Sequence, residues 1–381
     1  MYLFGKLHLL RIILILIFAS AQLTAFAQEA IIKAGKLYTI ESEILNEERK
    51  IAVFTPDGYA EGQVTYHVMY LLDAEWNFKY VAALLDKLTA AGEIPGILLI
   101  GVVNNNRNRD LTPAGKNDNP ARFGGGKKFL DFLTQELQPW VKQNYRTHPY
   151  SILAGHSFGG LFTVYTTMEE PERFQAYIAL SPSLGRNGEQ QVKKADAYYE
   201  QNAPIPESIY VAVGNEGGYT AISTKKYAHI LQDQESGLRF KFEKLEDSSH
   251  ESITIEGFIH GLKFIYEGFN LEQFPELDEI FLVEEHYKKL SERFGYELKV
   301  PESQYQRFAR EQMVTKEWDY ARFILSQYEK HYPGSIELVS LKADLNLLTG
   351  DFKEALKYYE MLNSLGVESE SLSRIIKELK D

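Results

Sequence analysis

The chain has 381 residues, 44% of them hydrophobic, with a net charge of -12 and no cysteine. That is enough for two or three domains with a sizeable core. The acidic balance argues against nucleic acid and anionic membrane surfaces as partners. The lack of cysteine removes disulfides, thiolate metal sites and cysteine nucleophiles together.

The first 27 residues read as a secretory signal peptide. Lys6 and Arg11 are basic, Ile12 to Ala19 is an unbroken apolar run, and Ala25-Phe26-Ala27 fits an A-x-A cleavage site. The run is short for a membrane span, and no cysteine follows it to carry a lipid. The expectation is cleavage near Ala27, a mature chain from about Gln28, secreted or periplasmic, with no membrane association afterwards. An uncleaved anchor is the alternative.

Lys36 to Leu45 and Lys50 to Thr55 read as strands about a turn at Asn46-Glu47-Glu48-Arg49. Val68 to Leu72 is an apolar strand that stops at Asp73-Ala74-Glu75, and Trp76 to Ala91 is a helix. Ile97 to Val103 is a strand and Phe129 to Gln143 a helix. Gly124-Gly125-Gly126-Lys127 lacks the spacing of a phosphate-binding loop and reads as a flexible loop before that helix. Tyr150 to Ala154 and Ala176 to Ser181 are further strands, followed by Ile209 to Gly214. Thr224 to Glu235 is a helix, Leu238 to Leu245 the last strand, and Ile253 to Phe269 the closing helix. Strands alternating with helices predict a doubly wound, mostly parallel sheet.

The richest stretch is Gly155-His156-Ser157-Phe158-Gly159-Gly160. At average composition, G-x-S-x-G arises at roughly 3 in 10,000 positions, so alone it is weak. Here a strand precedes it and Leu161 to Met168 can form a helix after it. Strand, G-x-S-x-G and helix make the context of an α/β-hydrolase nucleophile elbow. A serine hydroxyl needs an adjacent base, and in this arrangement the chain order is Ser, acid, His. His156 adjoins the serine and points elsewhere; His229 and His260 lie within helices. His250, in the loop after the last strand, is the candidate base. Glu216, after the preceding strand, is the candidate acid, with Asp247 as the fallback. The oxyanion hole would take backbone N–H groups from Phe158 and, after the Val68–Leu72 strand, Ala74. Asp73, Arg107 and Arg109 are candidate substrate contacts, the arginines for an anionic or catecholate-like group. A structural salt bridge, such as Arg109–Asp110, is the alternative. No histidine–carboxylate set has metal spacing, so neither metal nor cofactor is expected.

Several stretches together resemble the putative-esterase family of α/β-hydrolases, which includes enterochelin (siderophore) esterases, feruloyl esterases and S-formylglutathione hydrolases. They are Tyr70-Leu71-Leu72-Asp73, Gly101-Val102-Val103-Asn104, Arg107 to Pro113, the elbow, Ser181-Pro182-Ser183-Leu184 and Gly214-Asn215-Glu216, in family order across roughly 36–270. The siderophore-esterase branch is most similar. The chain departs from the family pattern after Leu184, where Gly185-Arg186 replaces the usual tryptophan, so part of the pocket wall differs. The resemblance implies hydrolysis of a small-molecule ester through an acyl-enzyme; acyl transfer and the identity of the ester stay open. The alternative from another class is a catalytically idle hydrolase fold acting as a binding module.

Beyond Asn270 to Glu279, a linker with Pro275, helical periodicity runs to the end. Ala309, Thr315, Trp318 and Ala321 recur 34 residues later as Ala343, Thr349, Phe352 and Ala355, the tetratricopeptide period. Lys316 stands where the second copy has Gly350, so the first copy is degenerate. The expected division is a hydrolase domain over 28–272 and a small all-α, tetratricopeptide-like domain over 280–381. Two repeats rarely stand alone, since about three are needed for an independent core. The helices should therefore pack on the hydrolase or on a partner, with protein binding and homodimerisation both open.

Overall fold

A computed structural model describes residues 34–380 apart from 58, 61–63, 203–207, 234–237, 272–273, 275 and 368. The signal-peptide reading of residues 1–27, the end of the 224–235 helix and Pro275 of the linker lie outside the described residues. Among the described residues no helix is long and apolar enough to cross a membrane.

Among the described residues the sheet has eight strands: β1 (Lys36–Ser42), β2 (Glu47–Phe54), β3 (Tyr66–Leu71), β4 (Ile97–Val102), β5 (Thr147–His156), β6 (Ala176–Leu180), β7 (Ser208–Gly214) and β8 (Arg239–Leu245). Their order is β1-β2-β4-β3-β5-β6-β7-β8. The β1–β2 and β2–β4 pairings are antiparallel and all later ones parallel. Strands β4, β6 and β7 are buried along their whole length, as continuous apolar runs covered on both faces require. Alternation along β3 shows how: Val68, Tyr70 and Leu72 enter one core, Met69 and Leu71 the other. Strand β8 is the edge and stays half-exposed.

The covering helices in the first 270 residues are α1 (Ala74–Ala90), α2 (Arg107–Asp110), α3 (Gly126–Asp131), α4 (Gln138–Asn144), α5 (Phe158–Glu169), α6 (Arg186–Tyr199), α7 (Gly218–Gln232) and α8 (Ile253–Ile265). Three differences from the sequence reading have local causes. The β1–β2 turn falls earlier than 46–49, because Glu136 reaches across to the backbone N–H groups of Glu43 and Ile44 and Asn46 takes the positive φ. The 129–143 helix carries a π-helical turn over Phe132–Leu137. Residues 124–126 are anchored rather than flexible: Gly124, Gly125 and Gly126 N–H groups donate to Thr112 Oγ1, Arg109 O and Thr112 O.

Among the described residues six helices follow: α9 (Ile280–Phe294), α10 (Glu302–Thr315), α11 (Trp318–His331), α12 (Ile336–Thr349), α13 (Phe352–Ser364) and α14 (Glu370–Lys380). Both bounds of α10 recur in α12 after 34 residues, and Trp318 and Phe352 open α11 and α13 at the same offset. Lys316 closes α10 at φ 65° where Gly350 closes α12 at φ 82°; lysine adopts that left-handed geometry at a cost glycine avoids. Helix α9 packs on the sheet layer. Leu290 and Phe294 join the core that holds Tyr150, Ile265 and Tyr266, and His286 Nε2 donates to Gly268 O at 2.6 Å.

His67, 2% exposed, sits in that joint. It stacks on Tyr150 and Tyr266, meets Phe294 and Tyr296, and bonds the Tyr266 hydroxyl at 2.7 Å. Burial pushes its pKa down to about 3, with His148 adding to the effect. In the unfolded chain an imidazole takes up a proton near pH 6.5. Between those values the unfolded state binds more protons, so stability falls as pH drops below about 6.5. We expect the Tm to decline over that window and a His67→Gln variant to decline less steeply, measured by thermal melts from pH 7 to pH 4. Parallel slopes would contradict this assignment.

Candidate active site

Strand β5 feeds helix α5 through a turn that only glycine flanks can make. A Cβ on Gly155 would stand 2.4 Å from Gly159 C, and one on Gly160 would stand 2.9 Å from Leu180 O. Ser157 occupies the apex at φ 58°, ψ -113°, a strained geometry for a residue with a side chain. Its N–H donates to Leu180 O at 2.9 Å and its carbonyl accepts from Leu161 and Ser183. Main-chain bonds on both sides thus hold the hydroxyl at the end of the central strand, where open α/β sheets place ligands.

Three of the sequence-predicted side chains meet there. Ser157 Oγ lies 3.1 Å from His250 Nε2, and His250 Nδ1 lies 2.6 Å from Glu216 Oε2. A carboxylate only accepts, so Nδ1 carries the hydrogen and the Nε2 lone pair faces the serine. Asp247, the fallback acid, makes no such contact among the described residues. The loops carrying acid and histidine are fastened together: Asn215 N–H donates to Ser248 O at 2.6 Å, and a Cβ on Gly214 would stand 2.6 Å from that same oxygen.

Ser181, Ser183 and His156 join the site without having been singled out from sequence. Ser181 Oγ donates to Glu216 Oε1, so both carboxylate oxygens are engaged. Ser183 Oγ is 3.2 Å from Ser157 Oγ. The Ser181-Pro182-Ser183-Leu184 stretch was the available signal; the contacts need the β6 turn, with Ser181 at φ 39°. His156 does point away from the serine, toward the histidine loop, where its Nε2 donates to His250 O at 2.6 Å. Burial, then the nearby His250, lowers the His156 pKa, so this ring supports the loop in its neutral form.

Ala74 opens α1 behind Asp73, which adopts a left-handed conformation. Among the described residues neither the Ala74 nor the Phe158 N–H has a backbone acceptor, as expected for first-turn donors. Asp73 packs on the elbow, its Oδ2 lying 3.1 Å from where a Gly159 Cβ would stand.

The candidate substrate contacts are committed elsewhere. Arg107 grips Asp73 through Nε–Oδ1 (2.7 Å) and Nη2–Oδ2 (2.8 Å). Arg109 binds Asp110 Oδ1 through Nε at 2.6 Å and Glu47 Oε1 through Nη2 at 2.7 Å. For Arg109 the salt-bridge alternative, widened to Glu47, describes what is seen. Arg107 remains at the site edge, its guanidinium over Trp76 (5.3 Å) and Phe158 (5.4 Å). Trp76, Tyr219 and Ile255 are large apolar side chains that are each more than half exposed. Two grooves of about 490 and 580 Å3, lined within 93–270 and 284–331, contain none of the site residues.

The sheet order, the elbow and the loops at its end define an α/β-hydrolase fold. The model of the family described as putative esterase matches residues 42–254, more than half the chain, and the chain belongs to that family. It is 28% identical over 217 residues to the ferri-bacillibactin esterase BesA of Bacillus subtilis, covering 49% of this chain and 74% of that one. Its fold is similar to the IroE-like serine hydrolase of Shewanella oneidensis, with TM-score 0.64 and 26% identity over 78% of this chain and 99% of that one. An uncharacterised protein of Capnocytophaga ochracea, at 16% identity, shares the fold over 91% of this chain and 99% of its own, with TM-score 0.65.

Proposed function

We propose that this protein is an exported serine carboxylic-ester hydrolase working through an acyl-enzyme. The observation that carries the reading is the hydrogen-bonded line Ser157 Oγ–His250 Nε2–His250 Nδ1–Glu216 Oε2. In the first step His250 Nε2 takes the Ser157 proton as Oγ attacks the ester carbonyl. Glu216 holds the imidazole in the tautomer that can accept this proton and offsets the charge that develops on it. The Phe158 and Ala74 N–H groups receive the oxyanion. The proton then passes to the departing alcohol, leaving an acyl group on Ser157. Water, activated by the same imidazole, attacks the acyl carbonyl; the proton returns to Oγ and the acid is released. An alcohol in place of water would give acyl transfer.

The relative named as a ferri-bacillibactin esterase supports a siderophore ester as the substrate class. The apolar, aromatic surface of Trp76 and Tyr219 suits aromatic esters in general, including those on carbohydrates. Export rests on the sequence of residues 1–27. The 34-residue offset of α10 and α12 supports reading 280–381 as a tetratricopeptide-like appendage to the 28–272 hydrolase domain.

The test is hydrolysis of p-nitrophenyl acetate and butyrate, and of ferri-bacillibactin, by the purified protein. Turnover supports the reading. No turnover of any of the three, with no labelling by a fluorophosphonate, contradicts it.

A further inference from the structure

We propose that Arg186 is a specificity-determining residue that recognises an anionic oxygen group, a carboxylate in the simplest case, on the substrate held at Ser157. The inference rests on the esterase reading and deepens it.

Arg186 belongs to the same turn that touches the serine. Ser183 places its hydroxyl 3.2 Å from Ser157 Oγ, and Arg186 N–H donates to Ser183 O at 3.2 Å. The guanidinium carbon lies 4.2 Å from the Phe123 ring centroid and 6.0 Å from that of Phe158, the residue after the nucleophile. An arginine held against aromatic rings sheds part of its hydration, which favours pairing with an oxyanion.

Its charge is only partly engaged. Asp118 Oδ1 takes Nη2 alone, at 2.5 Å, so the pair is monodentate. Arg107, which also lies near the Phe158 ring, instead gives two N–H groups to Asp73. The buried Arg186 Nε has no partner among the described residues. A buried unpaired N–H costs stability, a cost the single bond to Asp118 leaves standing.

The backbone behind it is strained as well. Asn187, Gly188 and Glu189 all sit in the left-handed region, at φ 50°, 65° and 63°. Asn187 Nδ2 donates to Asp118 Oδ2, while Ser223 and Lys226 hold the Glu189 carboxylate. A Cβ on Gly185 would stand 2.7 Å from Tyr219 Cβ, so this turn packs tightly against the segment that follows Glu216. Strain fixed from several sides accompanies functional positions, and here it lies in the turn that directly follows Arg186.

The test compares matched esters. p-Nitrophenyl hemiglutarate places a carboxylate on the acyl side and is paired with p-nitrophenyl pentanoate. 4-Acetoxybenzoate places one on the leaving group and is paired with methyl 4-acetoxybenzoate. The readout is the ratio of kcat/KM for the anionic to the neutral member. We expect Arg186→Gln to lower that ratio about 10- to 100-fold in one pair, as loss of a charged hydrogen bond implies, and thereby to assign the side. Arg186→Lys should recover part of it. Asp118→Asn, which removes the competing carboxylate, should keep or raise it. A loss of fold lowers both rates together, so the neutral ester serves as the control: Arg186→Gln or Arg186→Lys that keeps the neutral-ester rate and shows unchanged ratios in both pairs overturns the proposal. If the wild type turns over no ester and fluorophosphonate leaves Ser157 unlabelled, the esterase reading itself has failed, and this inference with it.

Discussion

Ser157→Ala is expected to lower kcat/KM for p-nitrophenyl esters by about a million-fold, to the level of residual binding and oxyanion stabilisation. In the proposed mechanism the alanine removes the oxygen that carries the acyl group, yet it leaves the turn intact. Ser157 N–H still reaches Leu180 O, and the glycine contacts at 155, 159 and 160 are main-chain features. The Tm should therefore stay within a few degrees of wild type, since the lost contacts are single hydroxyl hydrogen bonds. His250→Ala should cost about as much, and the double variant no more than either single one, because serine and base act as a unit. Full additivity of the two losses would show that they act separately. Steady-state kinetics on the three variants, with matched melts, decides this.

Glu216→Gln is expected to cost about ten-thousand-fold in kcat, with KM little changed. The glutamine amide can donate as well as accept. It can therefore turn the His250 ring to the tautomer whose Nε2 bears hydrogen and cannot take the serine proton. The Ser181 hydroxyl, now bonded to Oε1, favours the rotamer that presents the wrong group to Nδ1. Glu216→Asp keeps the charge and should recover part of the rate. A loss below tenfold in Glu216→Gln would move the acid role elsewhere, with Asp247 the next candidate on the same loop system.

The sheet was legible because its strands are short apolar runs bounded by turn residues, and Ser157 because glycines on both flanks announce a turn that side chains would block. Glu216 and His250 could be chosen by chain order, since the hydrolase arrangement puts acid and base after the last two strands. What sequence could not supply depends on separate turns meeting in space. Ser181 reaches Glu216 across 35 residues and His156 reaches the His250 carbonyl across 94. Helix α6 went unread for a local reason. Its first turn, Asn187 to Glu189, is left-handed and its sequence is strongly polar, so neither a cap nor an apolar stripe marks its start. The β1–β2 turn was placed too late because Glu136, distant in sequence, fixes its backbone. The Arg109–Asp110 pair was open to sequence reading because the two are neighbours; Glu47, which β2 brings alongside, was not.

The central claim is that Ser157 is the activated nucleophile. Mass spectrometry of the protein after fluorophosphonate treatment, with peptide mapping of the adduct, tests it most directly. The account predicts one stoichiometric adduct on Ser157, abolished in Ser157→Ala and strongly slowed in His250→Ala. An adduct on another residue, or none on a protein that hydrolyses esters, would contradict it.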